Sequence, residues 1–224
     1  MEFGKGVETP SNYEQKTICC FVIDVSGSMS GSAIDELNRG LREFHAEIKS
    51  NSMLANRLEV SIVEFCDQIN TLVPPFLADQ FTVPTLLARG TTKLVDGVRT
   101  GIQVVEERKK WYKQTGQPYL RPWIVLITDG EPDDGQDIDG LVRELRNSEK
   151  EKKFLFLTIA VKGANMDALK RIASPDMPPA MLDGLKFSAF FKWMSASMGI
   201  AASSREGDKV DLPSPSDWMS GFKV

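Results

Sequence analysis

Three groups of oxygen-bearing side chains carry the chemistry this chain can do. Asp24, Ser26 and Ser28 are spaced two apart, with Gly27 between the serines, directly after the apolar run Ile18 to Ile23. Gly90-Thr91-Thr92 forms a second polar turn, and Asp129 follows a third segment, Ile124-Val125-Leu126-Ile127-Thr128. A donor set of carboxylates and hydroxyls suits hard cations such as Mg²⁺, Mn²⁺ or Ca²⁺, which prefer oxygen. If the three turns meet, one ion is ringed by Asp24, Ser26, Ser28, Thr92 and Asp129. These five leave at least one of about six Mg²⁺ positions for water or an incoming ligand. Taken singly, each piece is also ordinary turn and helix-cap chemistry. The coincidence of all three at strand ends selects the cation site.

The elements that must position these residues follow from periodicity. Lys16 to Asp24 and the five apolar residues bounded by Pro122 and Gly130 read as buried strands, each ending in an aspartate. In open α/β sheets ligands sit at that carboxyl edge. Ile34, Leu37, Leu41, Phe44 and Ile48 recur at helical spacing, with Ser32 as the expected N-cap and Asp35 completing a capping box. Leu58 to Phe65 alternates as a strand, Ile69 to Val73 as its hairpin partner at a sheet edge, and Pro74, Pro75 and Pro84 mark a long connection.

A second helical stripe runs through Leu94, Val98, Ile102 and Val105. Gly97 and Gly101 lie on it, where close packing explains them better than propensity. Further stripes predict a helix at Ile138 to Leu145, a strand at Phe154 to Val161 and a short helix at Met166 to Ile172. Leu185 and Phe187 suggest a last short strand, and Phe190 to Met198 a final helix. Strands and helices alternate, which predicts an α/β fold with a mainly parallel central sheet, an antiparallel edge hairpin and helices on both faces. The expected organisation is a lead-in over residues 1–15, one domain over 16–202 and a tail over 203–224, with Trp218, Met219 and Phe222 as candidate docking anchors.

Composition bounds the partners. The chain has 224 residues, 42% of them hydrophobic, and a formal net charge of −4, so it can bury a sizeable core and is not built for nucleic acid or an anionic membrane. The basic cluster Arg108-Lys109-Lys110-Trp111-Tyr112-Lys113 ends a helical pattern and reads as a solvated helix end. Cys19, Cys20 and Cys66 lack metal or redox spacing and read as small buried residues of a reducing compartment, Cys19 and Cys20 facing opposite sides of their strand. The first residues lack the apolar core of a signal peptide, and no apolar run approaches the roughly 18 residues of a membrane helix. A cytoplasmic protein is expected. The lone His45, beside Phe44, reads as a structural or surface residue.

Asp24-Val25-Ser26-Gly27-Ser28, Gly90-Thr91-Thr92 and Ile127-Thr128-Asp129-Gly130 together resemble the three parts of the metal-ion-dependent adhesion site of von Willebrand factor A domains, a Rossmann-like family. The resemblance covers about residues 16–200. It implies that Ser26, Ser28 and Thr92 contact a divalent ion. Asp24 and Asp129 would bind it directly or through water, and an acidic side chain of a protein partner would complete the shell. Thr92 is assigned by its spacing to Gly97, with Thr91 as the alternative, and Val95 stands where many members carry glycine. With the tail Val210-Asp211-Leu212-Pro213 and Trp218, the chain looks most like the tellurium-resistance (TerY-type) bacterial members.

Enzyme readings fit less well. A dehalogenase-type, Mg²⁺-dependent phosphatase would use Asp24 but needs a second aspartate where Ser26 stands. There is no phosphate loop of the G-x-x-x-x-G-K-[ST] kind and no G-x-G-x-x-G turn after the first strand. A serine hydrolase lacks a base. The acidic loop Glu131, Asp133, Asp134, Asp137 and Asp139 is not an EF-hand, because Asp134 and Gly140 occupy the places of its glycine and glutamate. It reads as a solvated rim, with Asp137 or Asp139 free to cap the next helix. The expectation is a non-catalytic, cation-dependent module that grips an acidic residue or a phosphate on a partner.

Overall fold

β1 (Thr17–Asp24) is buried along its whole length, as a strand with apolar side chains on both faces requires. The computed structural model describes residues 9–129, 132–203 and 211–220. After β1 the chain makes a 3-10 turn (Gly27–Met29), then α1 (Ser32–Ser50), α2 (Ser52–Arg57), β2 (Leu58–Phe65) and β3 (Ile69–Leu77). α3 (Leu94–Thr115), β4 (Trp123–Thr128), α4 (Ile138–Lys150) and β5 (Leu155–Ala160) follow. α5 (Met166–Ile172), β6 (Ala180–Leu182), α6 (Phe187–Ser203) and β7 (Met219–Ser220) complete it.

The strands form one sheet in the order β3-β2-β1-β4-β5-β6-β7. The five inner strands are parallel neighbours, with Phe21 opposite Ile62 on one side and Val125 on the other. β3 and β7 close the two edges antiparallel. The chain leaves β1 toward β2 and later returns on β1's other side as β4. The carboxyl ends of β1 and β4 therefore flank the point where strand order reverses, which is where such sheets leave a crevice.

The two faces of β1 feed two cores. Cys19, Phe21 and Ile23 pack under α1 and α6, where the Phe21 ring meets Phe44 at 5.4 Å and Phe191 at 5.5 Å between centroids. Ile18, Cys20 and Val22 pack under α3 and α4. Cys19 and Cys20 thus take opposite faces, and all three cysteines are free and buried. Gly97 and Gly101 let α3 lie close on the sheet: a Cβ on Gly97 would stand 2.6 Å from the Phe65 ring, and one on Gly101 2.4 Å from Val22 Cγ2. Among the described residues no helix is long and apolar enough to cross a membrane.

Several expectations are corrected. Ser32 is the first residue of α1 rather than its cap. Gly31, at φ 80°, takes that place and has no side chain to bond. Pro74 and Pro75 lie inside β3, where Val60 pairs with Phe76 and Ile62 with Val73, so the prolines fall in a bulge opposite Ser61. A bulge on an edge strand asks no ladder bond of them, and the Ser61 hydroxyl donates to Val73 O at 2.7 Å. α2 has no apolar stripe of its own. It is capped by Asn51, whose side chain accepts from Met53 N and Leu54 N. The last inner strand is Ala180–Leu182, and Phe187 instead starts α6.

The basic cluster at the end of α3 is not simply solvated. Arg108 grips the buried Glu59 through Nε and Nη2, both at 2.6 Å, and the Tyr112 hydroxyl donates to Glu59 Oε2 at 2.6 Å. The Arg108 guanidinium also lies 3.8 Å over the Trp111 ring. A carboxylate inside β2 needs such donors to be tolerated there. After α6 the chain returns: Trp218 is buried edge-on to Phe190, with centroids 5.1 Å apart, and Trp193 Nε1–H donates to Pro213 O at 2.8 Å. Phe222 lies outside the described residues.

Candidate functional site

Asp24 ends β1 with both carboxylate oxygens engaged. Oδ1 accepts the Ser26 N–H at 2.8 Å, the short-range turn that an aspartate forms with the amide two residues on. Oδ2 accepts the Thr128 hydroxyl at 2.6 Å, across the β1–β4 boundary. The turn continues into the 3-10 segment, with Met29 N–H on Ser26 O at 3.0 Å and the Met29 side chain buried beneath it. That winding puts the Ser26 and Ser28 hydroxyls 2.9 Å apart. Ser26 is buried at 2% exposure, whereas Ser28 faces out.

The second loop is stitched to the first. Gly27 N–H donates to Gly90 O at 3.1 Å, and Arg89 N–H donates to Val25 O at 2.7 Å. Gly90 adopts φ 66°, and a Cβ there would fall 1.9 Å from Asp67 Oδ1, so the turn admits no side chain. Beyond it Thr92 is buried at 6% exposure while Thr91 is exposed.

The third loop leaves β4 at Asp129, whose carbonyl accepts the Asn165 N–H at 2.9 Å. Its Oδ1 is buried and has no hydrogen-bond partner among the described residues. Four residues on, Asp133 reaches the second loop: Thr92 N–H donates to Asp133 Oδ1 at 3.0 Å, and Asp133 N–H donates to Thr92 O at 3.0 Å. Gln136 Nε2 donates to the same carbonyl at 2.6 Å, and its Oε1 accepts the Val95 N–H at 2.8 Å. Asp137 caps α4 by accepting the Gly140 N–H at 2.9 Å.

The three loops are therefore bonded to one another. Asp24, Ser26 and Ser28 form one hydrogen-bonded unit, Thr92 is buried on the loop bonded to it, and Asp129 lies within electrostatic reach of Asp24. Burial pushes the Asp24 carboxyl up to about 6. The bonds from Ser26 and Thr128 work against that rise, and the neighbouring charge of Asp129 adds to it. Among the described residues no three His, Cys, Asp or Glu side chains gather in one group. The donor set here is two carboxylates with hydroxyls.

Three polar residues at the site have no role in the motif reading. Thr128 looks like one more strand residue, and its only sequence signal is a hydroxyl in the last strand position before an acid. Asp133 and Gln136 lie in the stretch that reads as a solvated acidic rim; Asp134 and Asp139 are exposed there, but Asp133 and Gln136 are not. No periodicity marks them, because their partners lie some forty positions away. Glu131 lies outside the described residues.

The von Willebrand factor type A domain profile matches residues 19–183, from within β1 to just past β6. Inter-alpha-trypsin inhibitor heavy chain H1 of Mesocricetus auratus is 26% identical over 133 residues, which is 57% of this chain and 14% of that protein. The chain thus matches a small part of that relative's length. The pilus adhesin SpaC of Lactobacillus rhamnosus GG superposes with a TM-score of 0.64 at 15% identity, covering 84% of this chain and 31% of that one. The vWF domain of the type V pili tip protein Mfa5 from Porphyromonas gingivalis gives 0.56 at 12% identity, covering 87% and 99%. At such identities these likenesses speak for the fold alone. With the profile spanning most of its length, the chain belongs to the von Willebrand factor type A domain family, whose members are protein-interaction and adhesion modules.

Proposed function

We propose that this domain binds a protein partner through a divalent cation, Mg²⁺ or in its place Mn²⁺ or Ca²⁺, held by Asp24, Ser26, Ser28, Thr92 and Asp129. The observation that carries the reading is a buried Asp129 Oδ1 that has no hydrogen-bond partner among the described residues, close to a buried, desolvated Asp24. A buried carboxylate beside a second, half-buried one is repelled by it unless a positive charge sits between them. A cation also fits the neighbouring hydroxyls in kind, all being hard oxygen donors.

When bound, the ion would supply an open coordination position for a carboxylate or phosphate oxygen of the partner. The chain's own part is to hold the oxygens in place: the Ser26 amide and Thr128 hydroxyl orient Asp24, and the Gly27–Gly90 bond keeps the serine and threonine loops together. Ser28 is the exposed hydroxyl of the set, whereas Ser26 and Thr92 are buried. Two of the structural relatives are themselves a pilus adhesin and a pilus tip protein, which agrees with a binding role. A phosphatase reading with Asp24 as nucleophile is disfavoured, since Ser26 stands where such an enzyme needs a second aspartate.

The narrower part of the proposal places the protein in the cytoplasm of a bacterium, in tellurium or stress resistance. It is supported by the sequence of the tail and by three buried, unpaired thiols. A pull-down from the source cell with wild-type chain and the Asp129→Ala variant, with and without EDTA, tests the function. Partners retained by wild type and lost in EDTA and in the variant are expected; equal capture in all arms contradicts the reading. Deletion should lower tolerance to tellurite or oxidant, and unchanged tolerance would remove the stress assignment.

A further inference from the structure

We infer that Asp133 and Gln136 are positioning residues for the cation site, acting on it by clamping the backbone of Thr92. The inference rests on the cation reading above and adds to it two residues that need not touch the ion.

Thr92 lies in a stretch, residues 82–93, that has no helix or strand to satisfy its backbone. A buried backbone amide or carbonyl must nonetheless be paired. For Thr92 both partners come from the third loop. Asp133 forms a reciprocal pair with it, Oδ1 accepting the Thr92 N–H and its own N–H donating to the Thr92 carbonyl, each at 3.0 Å. Gln136 adds a second donor on that carbonyl at 2.6 Å. The other end of its amide accepts the Val95 N–H at 2.8 Å, one of the first-turn donors of α3 that no helical carbonyl reaches. The two segments are thus held by four hydrogen bonds bridging 41 to 44 positions.

The consequence is positional. Thr92 is β-branched, so fixing its backbone leaves its hydroxyl few orientations. Asp133 follows Asp129 four positions on in the sequence, so the backbone clamp on Thr92 comes from the segment that follows the other candidate donor. Asp133 acts on Thr92 as a hydrogen-bond acceptor, its Oδ1 taking the Thr92 N–H. Partners that orient ligands from outside the shell typically change metal affinity about 10- to 100-fold when removed.

The test is calorimetric titration of Mn²⁺ into the full, EDTA-stripped chain, alongside the Mn²⁺ electron paramagnetic resonance signal. Asp133→Ala should weaken binding about tenfold or more. Asp133→Asn, which keeps the acceptor oxygen, should stay within about threefold of wild type, a rescue that a directly ligating carboxylate would not show. Gln136→Ala should also weaken binding, which keeps the test open if Asp133→Ala does not fold. The double variant Thr92→Ala/Asp133→Ala should bind no worse than Thr92→Ala alone, since both changes act through one hydroxyl. Wild-type affinity in Asp133→Ala and Gln136→Ala, or an Asn variant as weak as the Ala variant, overturns the inference while leaving the cation site standing. A wild-type chain that takes up no Mn²⁺ at all would sink the cation reading and this inference with it.

Discussion

The Thr128 hydroxyl donates to Asp24 Oδ2 at 2.6 Å, joining the ends of two parallel strands that are 104 positions apart in sequence. β1 and β4 are neighbours in the sheet, with Ile23 opposite Ile127, so their last residues meet at the reversal of strand order. The bond fixes one acid of the site by way of the strand that delivers the other.

Thr128→Val keeps the shape of the strand and removes the donor. It leaves a buried carboxylate oxygen unpaired, which should cost about 1–3 kcal/mol of stability. Urea unfolding of the ion-free chain checks this, and a change within error would mean that water replaces the hydroxyl.

Asp24 also sets a pH dependence in the ion-free state. Its carboxyl is raised by burial from 3.8 to about 6, so the folded chain prefers the protonated acid. Its contribution is fully present below the unfolded value near 3.8 and is lost as pH rises through about 6. In EDTA, wild-type stability relative to Asp24→Asn should fall across that window, by roughly 3 kcal/mol at most. Saturating Mg²⁺ should remove the fall. A difference that stays flat in EDTA would show that Asp24 is solvated.

The glycines of α3 and α6 should respond in opposite directions to the same change. Gly101→Ala drives a methyl to 2.4 Å from Val22 Cγ2 and should destabilise by about 1–3 kcal/mol. Gly199→Ala meets nothing within 4 Å and should stabilise by up to about 1 kcal/mol through helix propensity. Melting curves of the two variants decide it, and equal effects would contradict the close packing of α3 on β1.

Arg108→Ala should destabilise by about 3 kcal/mol or more, because it strands the buried carboxylate of Glu59. Cation binding should be unchanged, since Glu59 begins β2 and the site gathers at the strands' other ends. Denaturant unfolding together with Mn²⁺ titration separates the two, and lost binding in a folded variant would contradict that separation.

The inner strands and the long helices were legible because apolar periodicity reports burial directly: β1 and β4 are continuous runs, and α1 and α3 carry full stripes. The five candidate residues stand out in the sequence because each belongs to a spaced motif, Asp24 and Asp129 where β1 and β4 end and Thr92 just before α3. What escaped depends on contacts that no local pattern encodes. Pro74 and Pro75 read as a break but occupy a bulge, because an edge strand does not need their missing amides. Arg108 reads as a helix-end cation but answers a carboxylate in β2. Asp133 reads as rim charge but pairs with Thr92 on another loop.

The central claim is that Asp24, Ser26, Ser28, Thr92 and Asp129 together hold a divalent cation. Its most direct test is calorimetric titration of Mg²⁺ and Mn²⁺ into the EDTA-stripped full chain, compared with Asp24→Ala and Asp129→Ala. One-site binding by wild type that is lost in both folded variants is the predicted result. No binding by wild type, or binding left intact by either substitution, would contradict it.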